Sequence, residues 1–331
     1  MAKSLGRYVV GVDLGGTKLR VALADRDGTV VRQQVVPTLA GDGRNTVIRR
    51  VVNEIRAVLE PDPLTALARI AIAVPGPVDP WLGIVYRPPN LPGWGDVPLQ
   101  SIVATELTVP VLLGNDANLA ALAEFRFGAG RGSAHLVYVT VSTGIGGGVM
   151  NAGKLLLGAW GGAAEIGHMT IDLNGPRCGC GNYGCLEAMA SGTAIAHEVA
   201  RRIAAGESSC LGQSTAGALG HLSAGAVVQA AADGDALARQ VVEWAAYNLG
   251  VGLANIMHLY DPQAIVVGGG VANHGWSLLV PNVERAIRER AMEAYVRRTR
   301  VVRSELGDDV GVLGAVALAL HGMDVLQQRA A

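Results

Sequence analysis

The segment from Gly167 to Glu187 gathers one histidine and three of the chain's four cysteines among closely spaced glycines. Thiolate and imidazole are the donors that tetrahedral zinc prefers, and His168, Cys178, Cys180 and Cys185 supply enough of them for a closed, structural shell. The glycines let a tight loop wrap an ion without Cβ clashes. Such a loop would also fix the directions of the carboxylates at its two ends, Glu165 and Glu187. The cysteine spacing is not that of the common C-x-x-C knuckle, and a disulfide or buried thiols are the competing outcomes. Because nothing marks the chain as exported, a metal is the expected one.

Half of the 331 residues are apolar and 17% are charged, with a formal net charge of −1. Such a chain can bury a large core, and its length makes two domains the default expectation. With no basic run and no aromatic-studded basic surface, no nucleic-acid partner is expected. After Lys3 and Arg7 the chain passes straight into Tyr8-Val9-Val10-Gly11-Val12, too short for a signal segment. No apolar run reaches membrane-spanning length. A cytoplasmic protein with no membrane partner is expected.

Three short β-branched runs open the chain, Tyr8–Val12, Leu19–Ala24 and Thr29–Val36, and Asp27-Gly28 is a hairpin signal between the last two. The device returns at His135–Val141, where a strand leads into Thr143-Gly144-Ile145-Gly146-Gly147-Gly148 and a second apolar run. Helical spacing predicts helices over Thr46–Glu60, Asp116–Phe127, Glu187–Ala205, Ala224–Ala232, Ala236–Leu259 and Trp276–Tyr295. Gln263–Val267 reads as a buried strand running into Gly268-Gly269-Gly270. Strands alternating with helices argue for an α/β fold. The pattern suggests an internal duplication: two α/β domains across a cleft, residues 1–130 and 131–331, with a closing helix Val310–Leu320 crossing back to the first.

Asp13-Leu14-Gly15-Gly16-Thr17-Lys18 is neither a Walker loop nor a dinucleotide fingerprint, because a strand and not a helix follows it. A glycine turn between strands can still bring bare backbone N–H groups close to phosphate, and Thr17 adds a hydroxyl donor. Asp13, at a strand end, is placed to hold Mg²⁺ directly or through water. Thr143–Gly148 is a second such turn and Gly268–Gly270 a third glycine surface. Three of them at strand ends point to nucleotide binding.

Leu113-Gly114-Asn115-Asp116-Ala117-Asn118 puts Asp116 at a helix start, where it is either an N-cap or a general base for a substrate hydroxyl. Asn90, Asn115, Glu165 and Glu187 are candidates to hydrogen-bond the remaining hydroxyls of a polyol. The other six histidines, 135, 197, 221, 258, 274 and 321, have no ligand-like neighbours and read as surface or core residues. Trp94 either lines a pocket or packs a loop.

Together these residues resemble the ROK family of sugar kinases and sugar-responsive repressors, most of all its bacterial glucokinase branch. The resemblance runs from Val10 to about Leu320. It rests on Glu165-Ile166-Gly167-His168 followed by Cys178-Gly179-Cys180-Gly181-Asn182-Tyr183-Gly184-Cys185-Leu186-Glu187. Asp13–Lys18, Val74-Pro75-Gly76-Pro77-Val78-Asp79, Asn115–Asn118 and Thr143–Gly148 also match, in the family's order. Ser142 and Ala164 stand where the family pattern has glycine.

The resemblance implies an actin/hexokinase-like (ribonuclease H-like) fold whose two domains close over ATP and sugar, with Mg²⁺. It implies Asp116 as catalytic base for the sugar 6-hydroxyl, and Gly76, Asn90, Asn115, Asp116, Glu165, His168 and Glu187 as sugar-binding residues. Asp13, Gly15, Gly16, Thr17, Lys18, Thr143, Gly144, Gly269 and Gly270 would serve the nucleotide. Zinc would be held by His168, Cys178, Cys180 and Cys185. The activity implied is glucokinase, with mannose, N-acetylglucosamine or N-acetylmannosamine kinase and a non-catalytic regulator as alternatives. A homodimer or homotetramer is expected. The family's repressors carry a winged helix ahead of the first strand, for which a first strand near Tyr8 leaves no room, so a kinase is expected.

Overall fold

In the computed structural model, residues 6–214 and 222–328 are described. They gather into two compact units. The first holds the chain up to Gly132, then Gly148–Ala164, then the chain from Asp308; the second holds Ser133–Gly147 and Glu165–Gly307. The path therefore returns to the first unit twice, at Gly148 and again at Asp308.

The first unit opens with three antiparallel strands, β1 (Tyr8–Leu14), β2 (Lys18–Ala24) and β3 (Val30–Pro37). Helix α1 (Arg44–Leu59) then crosses to β4 (Leu67–Val74), which pairs parallel with β1. Val47, Val51, Ile55, Val58 and Leu59 bury one face of α1, the helical repeat seen in the sequence. A small antiparallel sheet of β5 (Val78–Asp79), β6 (Ile84–Tyr86) and β7 (Asp96–Val97) follows, then α2 (Leu99–Leu107). Next come β8 (Val111–Asn115), parallel to β4, and α3 (Asp116–Arg126). The main sheet has the order β3-β2-β1-β4-β8. Both β4 and α2 escaped the sequence reading. Strand β4 sits between two parallel neighbours and is almost wholly buried, so it lacks the polar alternation that marks a half-exposed strand.

The second unit starts with β9 (Leu136–Val141) and β10 (Ile145–Asn151), the latter leaving the unit at Gly147/Gly148 and turning into β11 (Lys154–Leu155). After the cysteine-rich loop come α4 (Leu186–Ala190), α5 (Gly192–Ala204), α6 (Cys210–Ser214), α7 (Ala224–Ala232) and α8 (Ala236–Tyr260). Strand β12 (Ala264–Gly268), α9 (Gly270–Arg290), α10 (Glu293–Val296) and β13 (Arg300–Arg303) complete it. The sheet order β11-β10-β9-β12-β13 repeats that of the first sheet, third-second-first-fourth-fifth strand when each sheet's own strands are counted in chain order. Helix α11 (Val310–His321) then packs on β1, β4 and α3 in the first unit.

Two helices differ from their sequence patterns. The run expected over Glu187–Ala205 breaks at Ser191, an extended residue (φ −74°, ψ 165°) whose hydroxyl caps α5 by accepting from Ala194 N. Helix α9 begins at Gly270, earlier than expected, and carries Pro281 in its interior. Among the described residues no helix is long and apolar enough to cross a membrane.

Candidate functional site

In the first unit the glycine turn joins β1 to β2, closed by a hydrogen bond from Gly15 N to Lys18 O of 3.0 Å. Gly16 is required by close approach and not by a positive φ: a Cβ there would lie 2.8 Å from Cβ and O of Asn90. The glycine turn therefore packs directly on the loop that carries Asn90. Asp13 lies under the start of α11, where a Cβ on Gly311 would come within 2.8 Å of its carboxylate. Its Oδ2 pairs with Arg20 at 3.4 Å. Burial pushes the Asp13 carboxyl up, against the Arg20 guanidinium, which pulls it down.

Asp116 is the first residue of α3, directly after β8. The cap of that helix is Asn115, not Asp116: the Asn115 side chain accepts from Asn118 N at 3.1 Å. Asn115 also donates from Nδ2 to Gly76 O at 3.1 Å. Gly76, at φ 83°, is backed by Pro88 and Pro89, the two residues just before Asn90. Gly76, Asn90, Asn115 and Asp116 thus belong to one connected set of loops at the ends of β4 and β8. Trp94 is 5% exposed and packs into the core of this unit, so it is loop packing and not a pocket wall.

In the second unit the turn between β9 and β10 is only Ser142–Gly144, with Ser142 N donating to Gly144 O at 2.9 Å. Gly146, Gly147 and Gly148 belong to strand β10, a correction to the longer turn expected from the sequence. The smallness of Gly148 serves packing: a Cβ there would lie 2.8 Å from Ala117 O. The N-terminus of α5 holds the turn, with Gly192 N donating to Ser142 O and Thr193 Oγ1 to Thr143 O, both at 2.8 Å. Gly269, at φ 90°, and Gly270 open α9 beside this turn.

Between these elements lies a cavity of about 520 Å³. Ser142, Thr143, Thr193, His197, Gly270 and His274 line it together with Ser223-Ala224-Gly225 at the start of α7. His197 and His274 are exposed, in keeping with their reading as surface or core residues, and nothing in the sequence singles out Thr193 or the α7 start. These positions come from separate helices with no local motif. His221 lies outside the described residues.

The ligand atoms of His168, Cys178, Cys180 and Cys185 all lie within 4.8 Å of one another. Cys178 Sγ is 3.7 Å from His168 Nδ1, and Cys180 Sγ is 3.7 Å from Cys185 Sγ. A tetrahedron with metal–sulfur bonds of about 2.3 Å has edges of about 3.8 Å, whereas a disulfide needs about 2.05 Å. The donor set fits a four-coordinate metal and excludes a bridge between those sulfurs. Burial pushes the Cys178 thiol up and that of Cys185 up to about 12; the Asn182 backbone hydrogen bond pulls Cys180 down. Cross-bridges Thr170↔Cys185 and Arg177↔Tyr183 pin the loop, and Gly181 and Gly184 take φ of 96° and 66°.

Glu165 precedes the 3-10 turn Ile166–His168, its carbonyl accepting from His168 N at 3.1 Å. Ala164 beside it sits at φ 68°, which explains why glycine suits that position. Glu187 faces two ways. Its Oε2 accepts from Ile145 N at 2.9 Å, and its Oε1 lies 3.8 Å from Cys178 Sγ. One carboxylate thereby joins the cysteine loop to the β9–β10 turn, leaving Gly144 no room for a side chain.

Comparison with known proteins identifies the family. The model of the ROK family matches residues 9–321. A glucokinase of Thermotoga maritima is 38% identical over 310 residues, 94% of this chain and 96% of the relative. The structure of a ROK family glucokinase from Streptomyces griseus in complex with glucose and AMPPNP superposes with a TM-score of 0.80 at 30% identity, covering 95% of this chain and all of that one (100%). A ROK family transcriptional regulator, a homolog of the E. coli MLC protein, gives a TM-score of 0.82 at 32% identity, over 95% of this chain and 78% of its own. The repeated strand order is that of the actin/hexokinase-like fold. With the motifs, the fold and the family model in agreement over nearly its whole length, this chain belongs to the ROK family.

Proposed function

We propose that the chain is an ATP-dependent hexose 6-phosphotransferase whose acceptor is D-glucose. The observation that carries this reading is Asp116. It is the first residue of α3, directly after β8, where its Oδ1 accepts from Ala117 N at 2.8 Å and the neighbouring Asn115 caps the helix, so the carboxylate is held at the mouth of the loops that carry Gly76 and Asn90. Asp116 takes the proton of the sugar 6-hydroxyl as that oxygen bonds to the γ-phosphorus, and the bond to ADP breaks in line. Gly76, Asn90, Asn115, Glu165, His168 and Glu187 bind the sugar's other groups. Backbone at Gly15, Gly16 and Gly144, with Thr17, Lys18 and Thr143, receives the phosphates. The cavity lined by Thr193, His197 and His274, with Gly269 and Gly270 at its edge, takes the nucleoside. Reactions of this type depend chiefly on positioning and electrostatics, which such turns supply. Asp13 would hold Mg²⁺, which when bound offsets phosphate charge. Zinc in the His168, Cys178, Cys180 and Cys185 shell would be structural, with no open position.

A second reading, a sugar-responsive regulator without catalysis, is favoured by the likeness to the regulator structure. ADP release measured over D-glucose, mannose, N-acetylglucosamine and N-acetylmannosamine separates the possibilities. Fastest turnover with glucose is expected. Preference for another hexose would move the specificity, and no ADP with any sugar, alongside a sugar-raised melting temperature, would establish the regulator. In the kinase, Asp116→Asn lowers kcat by about 10²–10⁴ while glucose still binds calorimetrically. A near-normal kcat with unchanged pH dependence would remove Asp116 from the reaction.

A further inference from the structure

We propose that Thr38 is a positioning residue for the nucleotide's phosphates, holding the Gly15–Lys18 turn in its anion-binding shape. The inference rests on the reading of that turn as a phosphate site. Thr38 follows β3 and is fully buried, at 0% exposure. Its hydroxyl donates to Gly15 O at 2.6 Å and its N–H donates to Thr17 O at 2.9 Å. Two carbonyls of one short turn are thus drawn onto a single residue. In a planar trans peptide the C=O and the following N–H point in opposite directions. Fixing the Gly15 carbonyl inward therefore fixes the Gly16 N–H facing the other way, toward the side from which phosphate approaches.

Thr38 is itself held. Its carbonyl accepts from Arg50 Nη1 of α1 at 2.6 Å, and Arg50 Nη2 reaches Asp42 at 3.4 Å. The path Arg50, Thr38, Gly15 links the α1 surface to the turn by hydrogen bonds alone. The hydroxyl touches no substrate in this account; it acts through the turn. A turn built of glycines has little stiffness of its own, so the outside anchor decides which way its amides face.

The test compares Thr38→Val, which keeps the shape and loses the hydroxyl, with Thr38→Ser, which keeps the hydroxyl. The expected result is an ATP KM about tenfold higher in Thr38→Val, the scale of one lost buried hydrogen bond. Thr38→Ser should return it to within about twofold of the parent, and kcat at saturating ATP should stay within about threefold in both. Equal ATP KM in Thr38→Val and the parent, with Thr17→Ala raising it, overturns the inference and leaves the phosphate reading standing. If neither Thr17→Ala nor Thr38→Val changes ATP KM, the phosphate reading falls and the inference with it. Failure of Thr38→Ser to restore the parent value also overturns it, since packing and not the hydroxyl would then matter. Should Thr38→Val not fold, Arg50→Met at the surface decides: a folded variant with unchanged affinity for ADP, measured by calorimetry, overturns the proposal.

Discussion

At the scale of single residues, the departures from the family pattern are the most instructive. Ala164 occupies a left-handed backbone conformation, at φ 68°. An L-residue with a Cβ pays about 1–2 kcal/mol there, while a glycine costs about 0.5–1 kcal/mol more unfolded-chain entropy. Ala164→Gly should therefore stabilise the protein by up to about 1 kcal/mol, read from the shift of its denaturant midpoint at constant slope. A destabilised variant would mean that the backbone there is held by contacts and not strained. Asp116 shows the converse. Its residue type and helix-start position were legible in the sequence, but whether it was merely the cap was not, because capping is settled by which side chain reaches the third amide. Asn115 makes that bond, and Asp116 accepts instead from Ala117 N.

At the scale of elements, the two glycine motifs prove to be packed parts and not free loops. A side chain at Gly16 would collide with Asn90 at 2.8 Å before it filled open space. Gly16→Ala should accordingly raise the KM for glucose as well as that for ATP, each by about tenfold, as expected for about 1–3 kcal/mol of overpacking. Loss of ATP affinity alone would show that Asn90 yields without affecting the sugar. The cysteine loop reaches further than its sequence suggests. Because Glu187 accepts from Ile145 N, removing the metal should disturb the β9–β10 turn as well as Glu165 and Glu187. Elemental analysis is expected to find one zinc per chain and none in Cys180→Ser. That variant should melt about 5 °C or more lower, and KM should rise for both substrates. A metal-free preparation with unchanged melting and normal KM values would reject the structural metal.

At the scale of the whole molecule, the sequence by itself determined the alternation of strands and helices, the duplicated opening of each half and the clustering of ligands near residue 180. Each of these is encoded locally: by period-2 and helical repeats, by glycine at turns, and by donor types a few residues apart. Strand β4, helix α2, the break at Ser191 and the cavity of the second unit were not legible. A doubly covered strand has no alternation, and a cavity lined from α5, α7 and α9 has no sequence neighbourhood at all. The closing apolar helix α11 was legible in the sequence as a helix. Only the tertiary structure decided its seat, where a Cβ on Gly311 would meet the Asp13 carboxylate at 2.8 Å. The same holds for Thr38. A threonine after a strand is unremarkable in the sequence, and only the chain path that buries it beneath the glycine turn gives its hydroxyl a carbonyl to hold. Local chemistry chose the motifs, and long-range packing chose their directions, because hydrogen-bond geometry depends on atoms the sequence places far apart.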